Sequence, residues 1–166
     1  LGIDRPALER AFFDGGVHDD VTVGRIDADT FAHAVAERLH RGDAEVRAAW
    51  ALVVEVALDG KAIVDELLGR GHRVHLWSNT DPIHMDKMRA QLPAGIDEHT
   101  ASFHVGAMKP HAAFFAKARA RGEPAIFLDD LDKNVDAAER AGVRAHKCAG
   151  PREARAVLSS LGLISS

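Results

Sequence analysis

The stretch Ala125 to Gly142, AIFLDDLDKNVDAAERAG, constrains this chain more than any other. Ala125 to Leu128 is apolar and suits a buried strand. Asp129 and Asp130 follow at once, and after a short polar turn Asn134 opens a helix that Gly142 closes. A strand ending in adjacent carboxylates puts negative charge at the carboxyl edge of a sheet, where α/β proteins build their sites. Two carboxylates this close repel, so a cation is their natural companion, and oxygen ligands favour Mg²⁺. The competing reading is a strand-to-helix turn whose Asp and Asn merely cap the helix. This stretch alone does not separate the two.

The region before Arg73 reads as helices. Asp4 can cap a first helix with Pro6 in its first turn, and Leu8, Ala11 and Phe12 share a face. Residues Asp14 to Asp27 are rich in Gly and Asp and read as a loop. Asp27 can cap a second helix carrying Phe31, Val35 and Leu39, which Arg41 and Gly42 break. A third helical stretch runs from Ala44 to Asp59 with Val46, Trp50, Val53 and Ala57 on its apolar face. Gly60 interrupts it, and Lys61 to Gly69 forms a fourth helix with Ile63, Leu67 and Leu68 inward.

The pattern then changes. Arg73 to Trp77 reads as a strand ending in Ser78, Asn79 and Thr80, and Asp81 with Pro82 starts a helix that reaches about Gln91. Ser102 to Val105 reads as a weaker strand, followed by Gly106 and by Lys109 with Pro110. His111 to Arg121 is helical, Ala145 to Cys148 is a last short strand, and Pro151 heads a C-terminal helix. Strands that alternate with helices call for a parallel sheet covered by helices. The reading is therefore α/β, with a mainly helical unit over residues 1–70 and the α/β core over 71–166.

Composition removes several function classes. A formal net charge of −4 argues against a general nucleic-acid binder, which needs a basic face. No apolar run approaches the length of a membrane span. Cys148 is the one cysteine, so no internal disulfide can form and a reducing, cytoplasmic setting fits. The ten histidines include no HExxH, which speaks against a zinc site.

Three strand ends carry polar residues: Ser78 to Thr80, Lys109, and Asp129 with Asp130. Parallel strands share a direction, so all three should emerge at one edge of the sheet. A hydroxyl, an ammonium and a carboxylate pair there suit a phosphoryl group. In order and spacing, VHLWSNT, GAMKP and IFLDDLDKN resemble the second, third and fourth motifs of the haloacid dehalogenase-like (HAD) hydrolase superfamily. The run GRI and the SNT…H pattern, ending at His84, are most similar to its sugar-phosphatase-like group.

The resemblance implies a Rossmann-like core with a small helical cap, and a Mg²⁺-dependent phosphatase acting on a small phosphorylated metabolite, sugar phosphates being among the candidates. It implies that Ser78 and Asn79 bind phosphoryl oxygens and that Lys109 neutralises the transferring group. Asp129 and Asp130 would hold Mg²⁺, with Asn134, Thr80 and His84 in support. Haloacid dehalogenases proper lack a metal and carry hydroxyl residues where this chain has Asp129 and Asp130, so dehalogenation is disfavoured.

One part of the family pattern is missing. The first motif, Asp-x-Asp on the first core strand, supplies the covalent nucleophile in this family, and nothing before Arg73 matches it. The expectation is that the missing piece is roughly 20 to 40 residues N-terminal to Leu1, about the length of one strand with its connection. The family places it between the LWSN and FLDD strands, so both would expose unpaired backbone groups along the gap. A separate segment, self-association or re-pairing of the strands would close it. The rival to a phosphatase is a non-catalytic HAD-like binding or assembly domain that keeps Ser78, Lys109 and Asp129. Trp77 could pack the core or wall a substrate pocket.

Overall fold

Asp4 caps the first helix through its carboxylate, which accepts from the Ala7 N–H at 2.9 Å. In the computed structural model, which describes residues 2–54, 56–96 and 98–165, this helix is α1 (Arg5–Phe13). Asp27 caps α3 (Ala28–Leu39) in the same way, accepting from the Thr30 N–H at 2.7 Å. Between them the expected loop is partly helical: a 3₁₀ turn at Asp14–Gly16 leads into α2 (Val17–Thr22). Gly15 and Gly16 take positive φ at that turn, and Val17 and Val21, one turn apart, are both buried. The glycines and aspartates masked this short amphipathic turn in the sequence.

Helix α4 (Asp43–Ala51) ends earlier than its sequence suggests. Val46 and Trp50 are buried, but Val53 is 67% exposed and Ala57 also faces solvent. The break falls before Ala57 rather than at Gly60, which lies inside α5 (Leu58–Gly69). Phe12, Val21, Phe31, Val35, Val46 and Trp50 form the core of this helical layer, and Ile83 joins it from the α/β layer. Burial of a side chain such as Phe31 contributes about 1.5–3 kcal/mol.

The α/β layer follows with β1 (His75–Ser78), α6 (Pro82–Arg89), β2 (Glu98–Ala101), α7 (Ser102–Val105) and α8 (Ala112–Arg119). Then come β3 (Phe127–Asp129), α9 (Asp132–Arg140), β4 (Ala145–Lys147) and α10 (Pro151–Ser160). The expected strand at Ser102–Val105 is one turn of helix, and the strand lies just before it. Polar–apolar alternation over four residues does not distinguish the two. Asn134 is the third residue of α9 rather than its first.

Phe127 and Leu128 point to opposite faces, as successive strand residues must. Phe127 packs with Trp77, Phe114, Phe115 and Ala138, on the side of α8 and α9. Leu128 packs with Ile63 of α5 and Leu158 of α10. Trp77 is 6% exposed in the first of these clusters, so it belongs to the core and does not wall a pocket.

Among the described residues the strands form two separate parallel pairs, β1 with β2 and β3 with β4. The Phe127 N–H donates to the Arg144 carbonyl at 2.8 Å, and the Cys148 N–H to the Asp129 carbonyl at 2.9 Å. Backbone alternation therefore turns the N–H and C=O of Leu128 away from β4. On β1, the Trp77 carbonyl accepts from Lys109 Nζ at 2.9 Å and so faces the β3 side. The strands have not re-paired: the facing edges of β1 and β3 share no ladder. No helix among the described residues is long and apolar enough to cross a membrane.

Candidate active site

The turn after β1 is tied to two neighbouring segments. Asn79 Nδ2 donates to the Lys109 carbonyl at 2.8 Å, and the Lys109 N–H donates back to Asn79 Oδ1 at 2.7 Å. Ser102 Oγ accepts from the Thr80 N–H and donates to the Thr80 carbonyl, both at 2.9 Å. Ser102 and Thr80 are buried. Ser78, two residues before Thr80, is half-buried, and its hydroxyl makes no hydrogen bond among the described residues.

Lys109 lies beneath this turn, 9% exposed. Its ammonium donates to the Trp77 carbonyl and, at 2.6 Å, to Asp129 Oδ2, and it sits 5.4 Å from the centre of the Phe127 ring. Asp129 Oδ1 accepts from the Leu131 N–H at 3.0 Å and from Asn134 Nδ2 at 2.8 Å. Burial pushes the Asp129 carboxyl up, but the Lys109 charge and hydrogen bond, with Asn134 and Leu131, outweigh it and hold it below the usual carboxylate range.

The acid pair is therefore split. Asp129 is buried and neutralised by Lys109, whereas Asp130 is exposed and makes no hydrogen bond or ion pair among the described residues. The buried Asn134 Oδ1 has no partner among them either. Asp130 and the Asn134 side-chain carbonyl offer oxygen donors close in sequence to Asp129, and oxygen donors suit a hard cation. No three His, Cys, Asp or Glu side chains among the described residues form a ready cage. Mg²⁺ needs none, since it keeps several waters and takes one or two carboxylates plus substrate oxygens.

Hydrogen bonds thus chain Asn79, Lys109, Asp129 and Asn134 together, and Ser78 and Thr80 flank Asn79 in sequence. His84 stands apart from them. It lies in the first turn of α6, with its ring against Trp50 and its Nδ1 2.9 Å from Asp81. Asp81 is 1% exposed and caps α6 while also accepting from Trp50 Nε1 at 3.0 Å. Its capping role is legible in Asp-Pro, but its link to Trp50, 31 residues away in sequence, is not. Ser102, the clamp on Thr80, carries no sequence signal. Among the described residues, cavities of about 460 and 420 Å³ open on α1 and beside Arg89 and His99, and Lys109 lines neither.

The fold is shared with solved HAD proteins. A HAD family enzyme of Bacteroides thetaiotaomicron, crystallised with magnesium, superposes with a TM-score of 0.70 at 22% identity, over 88% of this chain and 86% of the other. A variant of that enzyme, in complex with magnesium and inorganic phosphate, matches with the same TM-score at 20% identity, over 88% and 87%. A protein of Porphyromonas gingivalis, described as a predicted HAD-like family hydrolase, matches with a TM-score of 0.72 at 22% identity, over 95% and 90%. No family model and no curated protein matches the sequence. At these identities the likeness establishes a HAD-type α/β fold.

Proposed function

We propose that this chain carries the charge-stabilising part of a Mg²⁺-dependent phosphatase site for a small phosphorylated metabolite. The observation that carries the reading is Lys109, buried between the Trp77 carbonyl and Asp129, near the end of β1 where the Ser78 hydroxyl has no partner among the described residues. An ammonium held there, oriented before substrate arrives, neutralises oxygens of a transferring phosphoryl group without reorganisation. Ser78 donates to one of those oxygens, and Asn79 holds the Lys109 backbone. Asp130 and Asn134, with Asp129 behind them, would hold Mg²⁺. When bound, the ion supplies charge neutralisation on the phosphoryl oxygens. The magnesium and phosphate complexes of the Bacteroides enzyme support this assignment.

In this reading the nucleophile sits on a strand between β1 and β3, whose facing edges share no ladder among the described residues. Its carboxylate attacks phosphorus, the substrate's alkoxide leaves as the alcohol after protonation, and water then hydrolyses the aspartyl-phosphate to phosphate and carboxylate. Asp129 cannot take this role, since its oxygens accept from Lys109, Asn134 and Leu131. That same engagement favours a second reading, a domain that binds a phosphorylated ligand without turning it over. A buried lone cysteine fits a cytoplasmic setting for either.

The test is phosphate release from a panel of sugar phosphates by the native protein, with Mg²⁺ and with EDTA, beside Asp130→Asn. Turnover that needs Mg²⁺ and falls in the variant supports the phosphatase. Binding of phosphate without turnover selects the second reading, and undiminished turnover in EDTA removes the metal.

A further inference from the structure

The densest buried polar contact outside the Lys109–Asp129 pair joins the helical layer to the α/β layer. Asp81 Oδ1 accepts from the N–H groups of Ile83 and His84, at 2.8 and 3.1 Å. Its Oδ2 accepts from Trp50 Nε1 and lies 2.9 Å from His84 Nδ1. On the other side of the ring, His84 Nε2 is 2.8 Å from the Trp50 carbonyl. The imidazole stacks on the indole with centroids 4.5 Å apart, and Phe12 stacks on the same indole at 4.5 Å. Only 12% of the His84 side chain and 2% of the Asp81 side chain are exposed.

Both groups that face the ring nitrogens are acceptors. A carbonyl has no proton to give, and Asp81, with three N–H donors already on it, is a carboxylate. A neutral imidazole carries one N–H, so it would set a lone pair against one of these oxygens. The doubly protonated ring donates to both and supplies the counter-charge that a buried carboxylate requires. Burial pushes the Asp81 carboxyl up, yet its bonds and charge contact with His84, with the Trp50 donor, bring it below the usual range. That direction is the one expected beside a cation.

We infer that His84 is an imidazolium pin that fastens α4 to the turn carrying Ser78, so that seating of the helical layer beside the candidate site depends on the charge of one ring. Loss of a proton removes one donor and leaves Asp81 buried without its counter-charge. The strain falls on Trp50 and on the residues Ser78 to Asp81. Among the described residues, the other titratable groups near the ring are few. His18, on α2, touches the same indole at 5.8 Å and pairs with Asp19, and Lys87 is exposed one turn further along α6. From α1 the neighbours are Phe12 and Phe13, which carry no charge.

The test is ¹⁵N NMR of the histidine rings and the tryptophan indoles across a pH series, on the native protein. The expected result is a His84 ring protonated at both nitrogens at the acid end. As the pH rises, the Trp50 indole N–H should shift and exchange faster with the midpoint of the His84 ring. In His84→Gln that step should vanish, and in His18→Gln it should persist. A His84 ring with a single proton throughout, beside an unchanged Trp50 resonance, overturns the inference. So does a pH step that disappears in His18→Gln. The native and His18→Gln spectra decide the matter even where His84→Gln does not fold, and neither readout depends on turnover.

Discussion

Lys109 Nζ and Asp129 Oδ2 form an ion pair 2.6 Å apart, in which the two side chains are only 10% and 4% exposed. The lysine arrives from the loop before α8 and the aspartate from the end of β3, so the pair ties two strand-end loops together. It also occupies the carboxylate that the sequence pairs with Asp130.

Removing one partner should be costly. Lys109→Met strands a buried carboxylate and is expected to lower stability by about 3–5 kcal/mol. The double variant Lys109→Met, Asp129→Leu should recover much of that loss, because it leaves no unpaired charge. Urea unfolding of the three proteins measures both effects. Equal destabilisation of the single and double variants would show that the pair contributes more than mutual neutralisation.

Acid should weaken the fold through the same carboxylate. The folded Asp129 and Asp81 carboxyls both lie below their unfolded value. Their contribution is fully present above the unfolded pKa of about 3.9 and is lost as the pH falls through the lower folded values. Stability should therefore drop below about pH 4. Asp129→Asn should flatten part of that slope in pH-dependent unfolding, and an unchanged slope would count against the depressed carboxyl.

Asp130 should behave in the opposite way. It is exposed and unpaired among the described residues, so Asp130→Asn should change stability by no more than about 0.5 kcal/mol. In the same protein Mg²⁺-dependent phosphate release should fall. A large stability change with intact Mg²⁺ dependence would place Asp130 in the scaffold instead.

The edges of β1 and β3 offer a test by hydrogen exchange. The Phe127 N–H is bonded to Arg144, whereas Leu128 turns its N–H toward the unpaired side. In this chain alone, Leu128 should exchange faster than Phe127. A completing strand should slow Leu128 specifically. Equal protection of both amides in the isolated chain would mean that the edge is already covered.

Gly24 joins the helical layer to α7 at van der Waals limits. It has φ of +71°, and a Cβ there would lie 2.3 Å from the Phe103 carbonyl oxygen. Gly24→Ala should lower stability by about 1–3 kcal/mol through backbone strain, read from thermal unfolding. An unchanged melting temperature would mean that the two segments separate freely.

What the sequence determined by itself is local chemistry and strand ends. Asp4, Asp27 and Asp81 announce their helices because a cap is made within three residues. The ends of β1 and β3, and hence Ser78 and Asp129, follow from apolar runs that stop at polar residues. Helices α2 and α7 escaped notice because a single turn leaves too few residues to show a period. Tertiary structure alone decided where the polar atoms point. Asp129 and Asp130 are adjacent in sequence, yet one meets Lys109, 20 residues earlier, and the other meets solvent. Trp77 turned inward because Phe114, Phe115 and Phe127 surround it. His84 found two acceptors because a helix from another layer packs on it. Such partners are set by burial between distant segments, and no window of sequence contains both sides of the contact.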